Sequence, residues 1–212
     1  MDGFLNKNGK AIVENMIVVI KENKGYLSDI DGLIGDGDHG INMSKGFAIC
    51  EERLKGVDAG FGEALGTLGR VLLTEIGGSM GPLYGTFFNK MSRRSKAEET
   101  IDKNVFGDML RDAVTSISDL GGAKVGDKTL IDVLIPALEA YDKAIGDNKS
   151  FKDCLSDMSQ AANAGWLSTK DMEAKIGRAS RLGERSRGVL DAGATSCNLI
   201  LKSMADTIIS ML

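Results

Sequence analysis

The sequence predicts an all-α fold, and two observations support this prediction. Proline occurs only twice in 212 residues, at Pro82 and Pro136, and β-branched residues seldom alternate with polar ones as they do in half-buried strands. Apolar residues instead recur at helical spacing along most of the chain. The chain is long enough to bury one substantial core and contains no stretch that resembles an interdomain linker. We therefore expect a single domain over residues 1–212.

Eight segments have the apolar periodicity of a helix. In the first, Ile12, Val13, Met16, Ile17 and Ile20 lie on one face, and Asn23-Lys24-Gly25 resembles a helix end. The eight predicted helices cover roughly residues 7–23, 42–54, 61–76, 82–91, 109–120, 130–141, 151–175 and 199–211. Residues 26–40 are predicted to be a loop. Glycine-rich turns precede several of the helices, so these turns can gather at one end of a helical bundle.

The predicted loop carries the strongest chemical signal of the chain. Asp31, Asp36, Asp38 and the only histidine, His39, lie within ten residues that also contain four glycines. Carboxylates this close repel each other unless a cation lies between them. Magnesium fits best, because it uses a few carboxylates and completes its shell with water and substrate phosphates. A helix that begins just after these residues favours a nucleotide phosphate beside the metal.

Two formal motif matches in this loop are rejected. Residues 35–40 (GDGDHG) satisfy the dinucleotide pattern G-x-G-x-x-G, but no hydrophobic strand precedes them. The same residues resemble the start of a calcium-binding EF-hand loop, but Phe47 stands where that loop requires a glutamate. The remaining alternative is a surface turn rich in aspartate and glycine that holds no ligand.

Three further turns are candidates for ligand contact. Residues 77–82 (GGSMGP) form either a phosphate loop or a tight helix–helix turn, and Pro82 suits the first turn of the next helix. Residues 121–129 include Lys128, which is either a ligand contact or a capping or surface residue, because no P-loop pattern surrounds it. Residues 177–188 hold four arginines and three glycines, as expected of either a cover that neutralises phosphate or an exposed basic loop.

Composition excludes several classes of protein. The net charge is −4 and the pI is about 5.2, so nucleic acid is not an expected partner. The apolar patch from Met16 to Ile20 is far too short to span a bilayer, and we expect no membrane association. Cys50, Cys154 and Cys197 lie far apart without metal-ligand spacing, which favours reduced core thiols in a cytoplasmic protein.

Several motifs together resemble a known family, the DhaL-type nucleotide-binding subunits of bacterial dihydroxyacetone kinases and the corresponding C-terminal domain of single-chain dihydroxyacetone kinases. The resemblance covers nearly the whole chain. It rests on GDGDHG at 35–40, GGSMGPLYGTFF at 77–88, GDKT at 126–129, GRAS at 177–180, LGERS at 182–186 and DAGATS at 191–196.

The resemblance implies an antiparallel barrel of eight helices with ADP or ATP and two magnesium ions at one end. It implies that Asp31, Asp36 and Asp38 ligate both metals and that Arg178 holds the phosphates during transfer. The positions implied to contact the nucleotide are His39, Gly40, Ile41, Asn42, Ser79, Met80, Gly121, Leu130, Arg178, Asp191, Ala192 and Gly193. The chain departs from the family where relatives often carry serine at Met80 and proline at Ala192.

The resemblance also implies partners. In the family, bound ADP stays in place as a cofactor, a DhaM-type phosphohistidine carrier recharges it to ATP, and the γ-phosphoryl passes to dihydroxyacetone held covalently on a DhaK-type subunit. This chain shows neither a substrate-binding half nor a carrier half, so we expect it to need both partners.

Three alternatives stay open at this point. The chain could be a ketose kinase subunit that uses free ATP, on a triose or a tetrose. It could be a nucleotide-binding module that signals to a transcription regulator. His39 could itself carry the phosphoryl group, although Asp36 and Asp38 would repel a phosphohistidine. The sequence leaves a homodimer open.

Overall fold

A computed structural model describes residues 3–212, and this part of the chain is predominantly helical. Its nine α-helices are α1 Lys10–Glu22, α2 Lys24–Ile34, α3 His39–Leu54, α4 Phe61–Glu75, α5 Met80–Ser95, α6 Lys103–Gly121, α7 Ile131–Gly146, α8 Phe151–Ser168 and α9 Ala192–Met211. Two three-residue strands, β1 Gly3–Leu5 and β2 Thr100–Asp102, pair antiparallel with Phe4 opposite Ile101. The prediction of an all-α fold is confirmed.

Eight of these helices close into a ring. Going round it, α1 packs against α3, each helix from α3 to α9 packs against the next, and α9 packs back against α1. Helices α3, α5, α7 and α9 begin at the same end of the ring, where α4, α6 and α8 finish, so neighbours run antiparallel. The inward faces form one continuous cluster of buried apolar side chains, which includes Phe47, Phe88 and Phe106.

Small residues allow two of the ring helices to approach closely. A Cβ atom added at Gly66 on α4 would lie 2.6 Å from Ser92 Oγ on α5, and one added at Gly85 on α5 would lie 2.9 Å from Leu73 Cβ on α4. Real Cβ atoms do not approach heavy atoms this closely, so these positions need glycine. The hydroxyl of Ser92 donates a hydrogen bond to the Gly62 carbonyl at 2.6 Å and further joins the two helices.

The prediction of a loop over residues 26–40 is wrong for most of its length. Residues 24–34 form helix α2, which packs against α3 and α9 outside the ring. Leu27, Ile30 and Ile34 are its buried residues and have helical spacing, but the intervening aspartates and glycines weaken the pattern. Asn23 ends α1 and at the same time precedes α2, so the predicted helix end is a bend between two helices.

Several other predicted bounds also shift. Helix α3 begins at His39 rather than at residue 42, α8 ends at Ser168 rather than near 175, and α9 begins at Ala192 rather than near 199. At α9 the Asp191 carboxylate caps the helix by accepting a hydrogen bond from the Ala194 backbone N–H at 2.7 Å. The three cysteines are free and buried, as predicted. No helix in residues 3–212 is both long and apolar enough to cross a membrane.

Candidate functional site

Three aspartates meet at the end of the ring where α3 begins. Asp31 lies in the last turn of α2, and Asp36 and Asp38 lie in the short turn that joins α2 to α3. One carboxylate oxygen from each can be chosen so that all three lie within 4.8 Å of one another. Gly37, with φ of 76°, gives this turn a left-handed backbone between two of the carboxylates. We call Asp31, Asp36 and Asp38 the acidic cluster.

The acidic cluster has the chemistry of a magnesium site. Its donors are hard oxygens, its carboxylates are half-buried or exposed, and three negative charges lie close enough to repel. The Asp31 carboxylate accepts a hydrogen bond from the His39 backbone N–H at 3.2 Å, which fixes it against the start of α3. The donor set therefore fits a divalent cation that keeps part of its shell open.

Four helix N-termini surround the cavity beside the acidic cluster. The cavity of about 260 Å³ is lined by residues at the starts of α3, α5, α7 and α9, among them His39, Met80, Leu130 and Ala192. The first N–H groups of a helix have no partners within it, and the helix dipole places partial positive charge there. Four such ends around one cavity favour a ligand with several negative charges, of which a polyphosphate is the common example.

An apolar cavity of about 550 Å³ adjoins the first. Its walls include Leu83 from α5, Ile117 and Leu120 from α6, and Ile131 from α7. The two cavities share wall residues, including Ser79 and Leu130, and therefore form one continuous groove. A charged half followed by an apolar half suits a ligand that has phosphates at one end and a flat ring at the other.

A buried chain of hydrogen bonds fixes the helix starts relative to one another. His39 Nε2 lies 2.9 Å from Ser196 Oγ on α9, and Ser196 Oγ lies 2.7 Å from the Tyr84 hydroxyl on α5. The Tyr84 hydroxyl donates to the Gly193 carbonyl at 3.1 Å. Burial lowers the pKa of His39 to about 4, although the nearby Asp31 opposes the shift. His39 is therefore neutral near pH 7, and it acts as a hydrogen-bonding group and not as a cation.

Asp191 holds the opposite wall of the cavity. Burial raises the pKa of its carboxyl to about 6, and the hydrogen bond from the Ala194 N–H and the charge of Lys128 oppose that rise. Its backbone N–H donates to Thr169 Oγ1 at 3.1 Å, which joins the start of α9 to the end of α8. Asp191 is thus a half-buried acceptor beside Ala192 and Gly193, where a ligand hydroxyl can bind.

One arginine of the basic loop reaches the acidic cluster. The loop folds into 3-10 turns over Arg178–Ser186, with a kink at Gly183, and the Arg178 guanidinium pairs with the Asp36 carboxylate. Arg187 instead pairs with Glu184 and donates to the Asp171 carbonyl within its own connection. Arg178 is also well exposed, so it can leave Asp36 for an incoming anion.

Most of the predicted site residues meet at this groove. The first cavity is lined by Asp31, Asp36, Asp38, His39, Ser79, Met80, Leu130, Arg178, Asp191, Ala192 and Gly193, and Gly121 lines the apolar cavity. Gly40, Ile41 and Asn42 lie in the first turn of α3 and line neither cavity. A Cβ atom at Gly40 would collide with the Lys24 carbonyl, so this glycine allows α3 to pack on the start of α2.

Sequence reasoning assigned no role to several residues of the groove. Tyr84 and Thr129 line the groove, and Ser196 hydrogen-bonds to Tyr84. All three lie inside motifs that support the resemblance, and only that position in the sequence could have indicated a role at the site. Ile34 and Ile176 also line the first cavity, but an isolated isoleucine in the sequence gives no sign of a binding role.

Comparison with known proteins identifies the family. The profile of the DAK2 domain matches residues 33–206, which is most of the chain. The chain belongs to the DAK2 domain family. Among curated DAK2 relatives, "PEP-dependent dihydroxyacetone kinase, ADP-binding subunit DhaL" of Escherichia coli strain K12 is 38% identical over 181 residues, which are 85% of this chain and 86% of that protein. "PEP-dependent dihydroxyacetone kinase 1, ADP-binding subunit DhaL" of Listeria innocua is 38% identical over 90% of this chain and 91% of that protein.

Longer DAK2 relatives and solved structures are also similar. "D-erythrulose kinase" of Mycolicibacterium smegmatis is 34% identical over 91% of this chain but only 34% of that protein. The crystal structure of the dihydroxyacetone kinase of C. freundii in its native form superposes with a TM-score of 0.71 at 24% identity, over 93% of this chain and 34% of that one. Its complex with AMP-PNP and Mg²⁺ gives a TM-score of 0.68, also at 24% identity, over 97% of this chain and 34% of that one. The chain thus spans about a third of the length of these structures and shares the fold of the part that it matches.

Proposed function

We propose that this chain is the nucleotide-binding subunit of a dihydroxyacetone kinase. It holds ADP or ATP with magnesium and passes the γ-phosphoryl group to dihydroxyacetone bound on a separate subunit. The observation that carries this proposal is the placement of three carboxylates and four helix N-termini around one cavity. DhaL subunits of two bacteria, each matched over most of its length, support the choice of substrate.

The charged half of the groove is the proposed site of the phosphates and metal. Asp31, Asp36 and Asp38 hold magnesium, and two ions are expected from the family resemblance. Magnesium bound to phosphate oxygens neutralises the charge that develops during phosphoryl transfer. The N–H groups at the starts of α3, α5 and α9 orient the phosphates, with Ser79, Met80 and Gly193 beside them.

The apolar half of the groove is the proposed site of the base. Gly121 and Leu130 line it together with Leu83 and Ile117, so a planar ring can pack between aliphatic side chains there. Met80 stands where family members often carry serine, so the hydroxyl of Ser79 is the one that this turn offers to phosphate. His39 to Asn42 remain proposed nucleotide contacts at the start of α3, where the first-turn N–H groups of Gly40 and Ile41 have no acceptor within the helix.

Arg178 is the proposed catalytic side chain of the basic loop. Its guanidinium pairs with Asp36, and a phosphate would compete for the same guanidinium. Arginine binds phosphate oxygens with two parallel N–H groups, which gives both charge and orientation in the transition state. His39 is not the phosphoryl carrier in this account, because its Nε2 is committed to Ser196 within a buried network.

A rim of exposed apolar residues at this end is the proposed contact surface for the partners. Leu33, Ile41, Leu120, Val125 and Ile176 are each at least 40% exposed. Leu120 and Ile176 line the groove, and the other three lie within two residues of a residue that lines it. Exposed apolar side chains around a charged site are typical of a surface that another protein covers. The proposed partners are a DhaK-type subunit that presents dihydroxyacetone and a DhaM-type phosphohistidine carrier that recharges the bound ADP.

A second candidate function is a ketose kinase subunit that uses free ATP, with a triose or a tetrose as substrate. It is favoured by the similarity to "D-erythrulose kinase" of Mycolicibacterium smegmatis, of which this chain matches about a third. The same groove serves either function, because the nucleotide binds there whether it is recharged in place or exchanged with free ATP.

A reconstituted transfer assay tests the proposal and separates the two candidates. The chain is mixed with a DhaK-type subunit and dihydroxyacetone, and phosphate is supplied either by a phosphorylated DhaM-type carrier or by excess ATP. We expect dihydroxyacetone phosphate to form with the carrier and to form slowly, at the rate of nucleotide exchange, with ATP. Fast turnover on ATP alone favours the second candidate, and no product from either donor contradicts both.

A further inference from the structure

Lys128 is a buried lysine whose ammonium group contacts only backbone carbonyls among its recorded hydrogen-bond partners. Lys128 is 1% exposed, and its backbone φ is 62°, which is uncommon for a residue other than glycine. Lys128 Nζ donates to the carbonyls of Thr169 at 2.7 Å, Met172 at 3.2 Å and Val189 at 2.5 Å. An ammonium has three N–H donors, so all three are used.

These three carbonyls lie at the two ends of the connection between α8 and α9. Thr169 and Met172 come directly after α8, and Val189 comes just before α9. Residues 177–188 lie between them. They are the basic loop described above, which we call the arginine loop from here on. The ammonium of Lys128 therefore closes the base of the arginine loop. In other hydrogen bonds at this base, such as the one from the Gly188 N–H to the Lys170 carbonyl at 2.8 Å, both the donor and the acceptor lie within the connection itself.

The turn that carries Lys128 is itself held rigidly. The Asp132 carboxylate, in the first turn of α7, accepts from the backbone N–H groups of Gly126 at 2.5 Å and Thr129 at 2.7 Å. Asp132 is 1% exposed, and its carbonyl presses on Gly165 of α8 so closely that a Cβ atom there would collide. The same turn makes a second tie to the connection, because the Lys175 N–H donates to the Asp127 carbonyl at 3.1 Å.

The arrangement joins two parts of the groove. Leu130, two residues after Lys128, lines both the charged and the apolar cavity, and Arg178 in the arginine loop reaches the acidic cluster. Lys128 borders the charged cavity, but its N–H donors are committed to carbonyls and are not free for phosphate. Lys128 is therefore not the surface residue that the sequence left open, and its contact with the Thr169 carbonyl caps the end of α8.

We propose that Lys128 is a positioning residue that anchors the arginine loop to the turn before α7 and thereby places Arg178 over the acidic cluster. The proposal rests on the role given to Arg178 in the proposed function. Replacement of Lys128 removes three hydrogen bonds at the base of the loop and leaves three carbonyls without their partner. The loop should then open more often while the ring of helices stays closed.

Limited trypsin digestion of the nucleotide-free protein tests the anchor without any assay of function. The arginine loop contains Arg178, Arg181, Arg185 and Arg187, and mass spectrometry can count cuts at these sites. We expect Lys128→Met to raise the rate of these cuts roughly tenfold or more. Lys124→Met is the matched control, because Lys124 lies in the same turn and is exposed. An unchanged cutting rate in Lys128→Met overturns the proposal.

A second variant keeps the test decisive if Lys128→Met does not fold. Lys128→Gln keeps two N–H donors on a shorter chain, so we expect its cutting rate to lie between those of the wild type and Lys128→Met. If Lys128→Met does not fold, Lys128→Gln alone should show faster cutting in the arginine loop with a normal unfolding temperature. Equal acceleration of cuts in the arginine loop and in the ring helices, in either variant, overturns the proposal.

Phosphoryl transfer in a double-mutant cycle tests the link to Arg178. We expect Lys128→Met to lower kcat roughly tenfold or more in the wild-type background and to change it little in the Arg178→Ala background, because a positioning residue acts through the group it places. Equal losses in both backgrounds overturn the proposal. If Arg178→Ala leaves transfer unchanged, the role of Arg178 in the proposed function fails, whereas the digestion result still decides whether Lys128 anchors the loop.

Discussion

Replacement of Asp38 by asparagine should abolish phosphoryl transfer and leave the fold intact. Asp38 precedes α3 but its side chain makes no capping hydrogen bond, so the change removes a charge without removing a contact of the helix. The loss of one of three magnesium ligands should lower the transfer rate roughly 10³-fold, because magnesium stabilises the transferring phosphoryl group by several kcal/mol. The measurement is the rate of dihydroxyacetone phosphate formation at saturating partner concentrations.

Thermal unfolding separates this effect from damage to the structure. Without magnesium, Asp38→Asn should unfold at the same temperature as the wild type or slightly higher, because it relieves repulsion inside the acidic cluster. With magnesium and ADP, the wild type should be stabilised and the variant should not. Asp29→Asn is the matched control, since Asp29 is an exposed acid on α2, the helix that leads into the acidic cluster, and is not a member of the cluster. Full activity in Asp38→Asn would contradict the assignment of the acidic cluster as the metal site.

Replacement of Arg178 by alanine should reduce kcat by roughly 10²- to 10³-fold and weaken ADP binding far less. A guanidinium that stabilises the charge of the transferring phosphoryl group acts mainly in the transition state, so its removal lowers kcat more than it raises KM. Arg178→Lys should recover only part of the loss, because an ammonium keeps the charge but not the two parallel N–H groups. Steady-state kinetics of the reconstituted system measures both parameters.

Arg181→Ala is the control for the loss of a positive charge from the same loop. Arg181 is exposed and lies three residues from Arg178. We expect this variant to keep wild-type kcat. A similar loss in Arg178→Ala and Arg181→Ala would mean that the loop acts through its total charge, in which case the position of Arg178 beside Asp36 has no special role in transfer.

The sequence predicts the ring helices well because each buries a regular apolar face. It fails at α2, where Asp31 and two glycines interrupt the apolar pattern, although Leu27, Ile30 and Ile34 bury the helix. It also places the start of α9 too late, because the first turn, Ala192 to Thr195, is made of small residues with little hydrophobic periodicity. Both α2 and α9 carry residues that line the groove, Asp31 on α2 and Ala192 and Gly193 on α9.

Only the part of the candidate site whose residues are neighbours in the sequence could be predicted. Aspartates and glycines crowded into ten residues indicate a metal site by themselves, and the structure brings their carboxylates together as expected. Lys128 could not be assigned, because its partners are backbone carbonyls 41 to 61 residues away in the chain. The buried contact between His39 and Ser196 spans 157 residues and also has no local signal. Such long-range contacts follow from the closure of the ring.

The most direct test of the account is to identify the nucleotide that the purified protein carries. The protein is desalted in the presence of magnesium and denatured, and the released small molecules are quantified by mass spectrometry. We expect about one ADP per chain in the wild type, in keeping with one groove per chain, and much less in Asp38→Asn. A wild-type protein that retains no nucleotide, and that shows no stabilisation on addition of ADP with magnesium, would contradict the central claim.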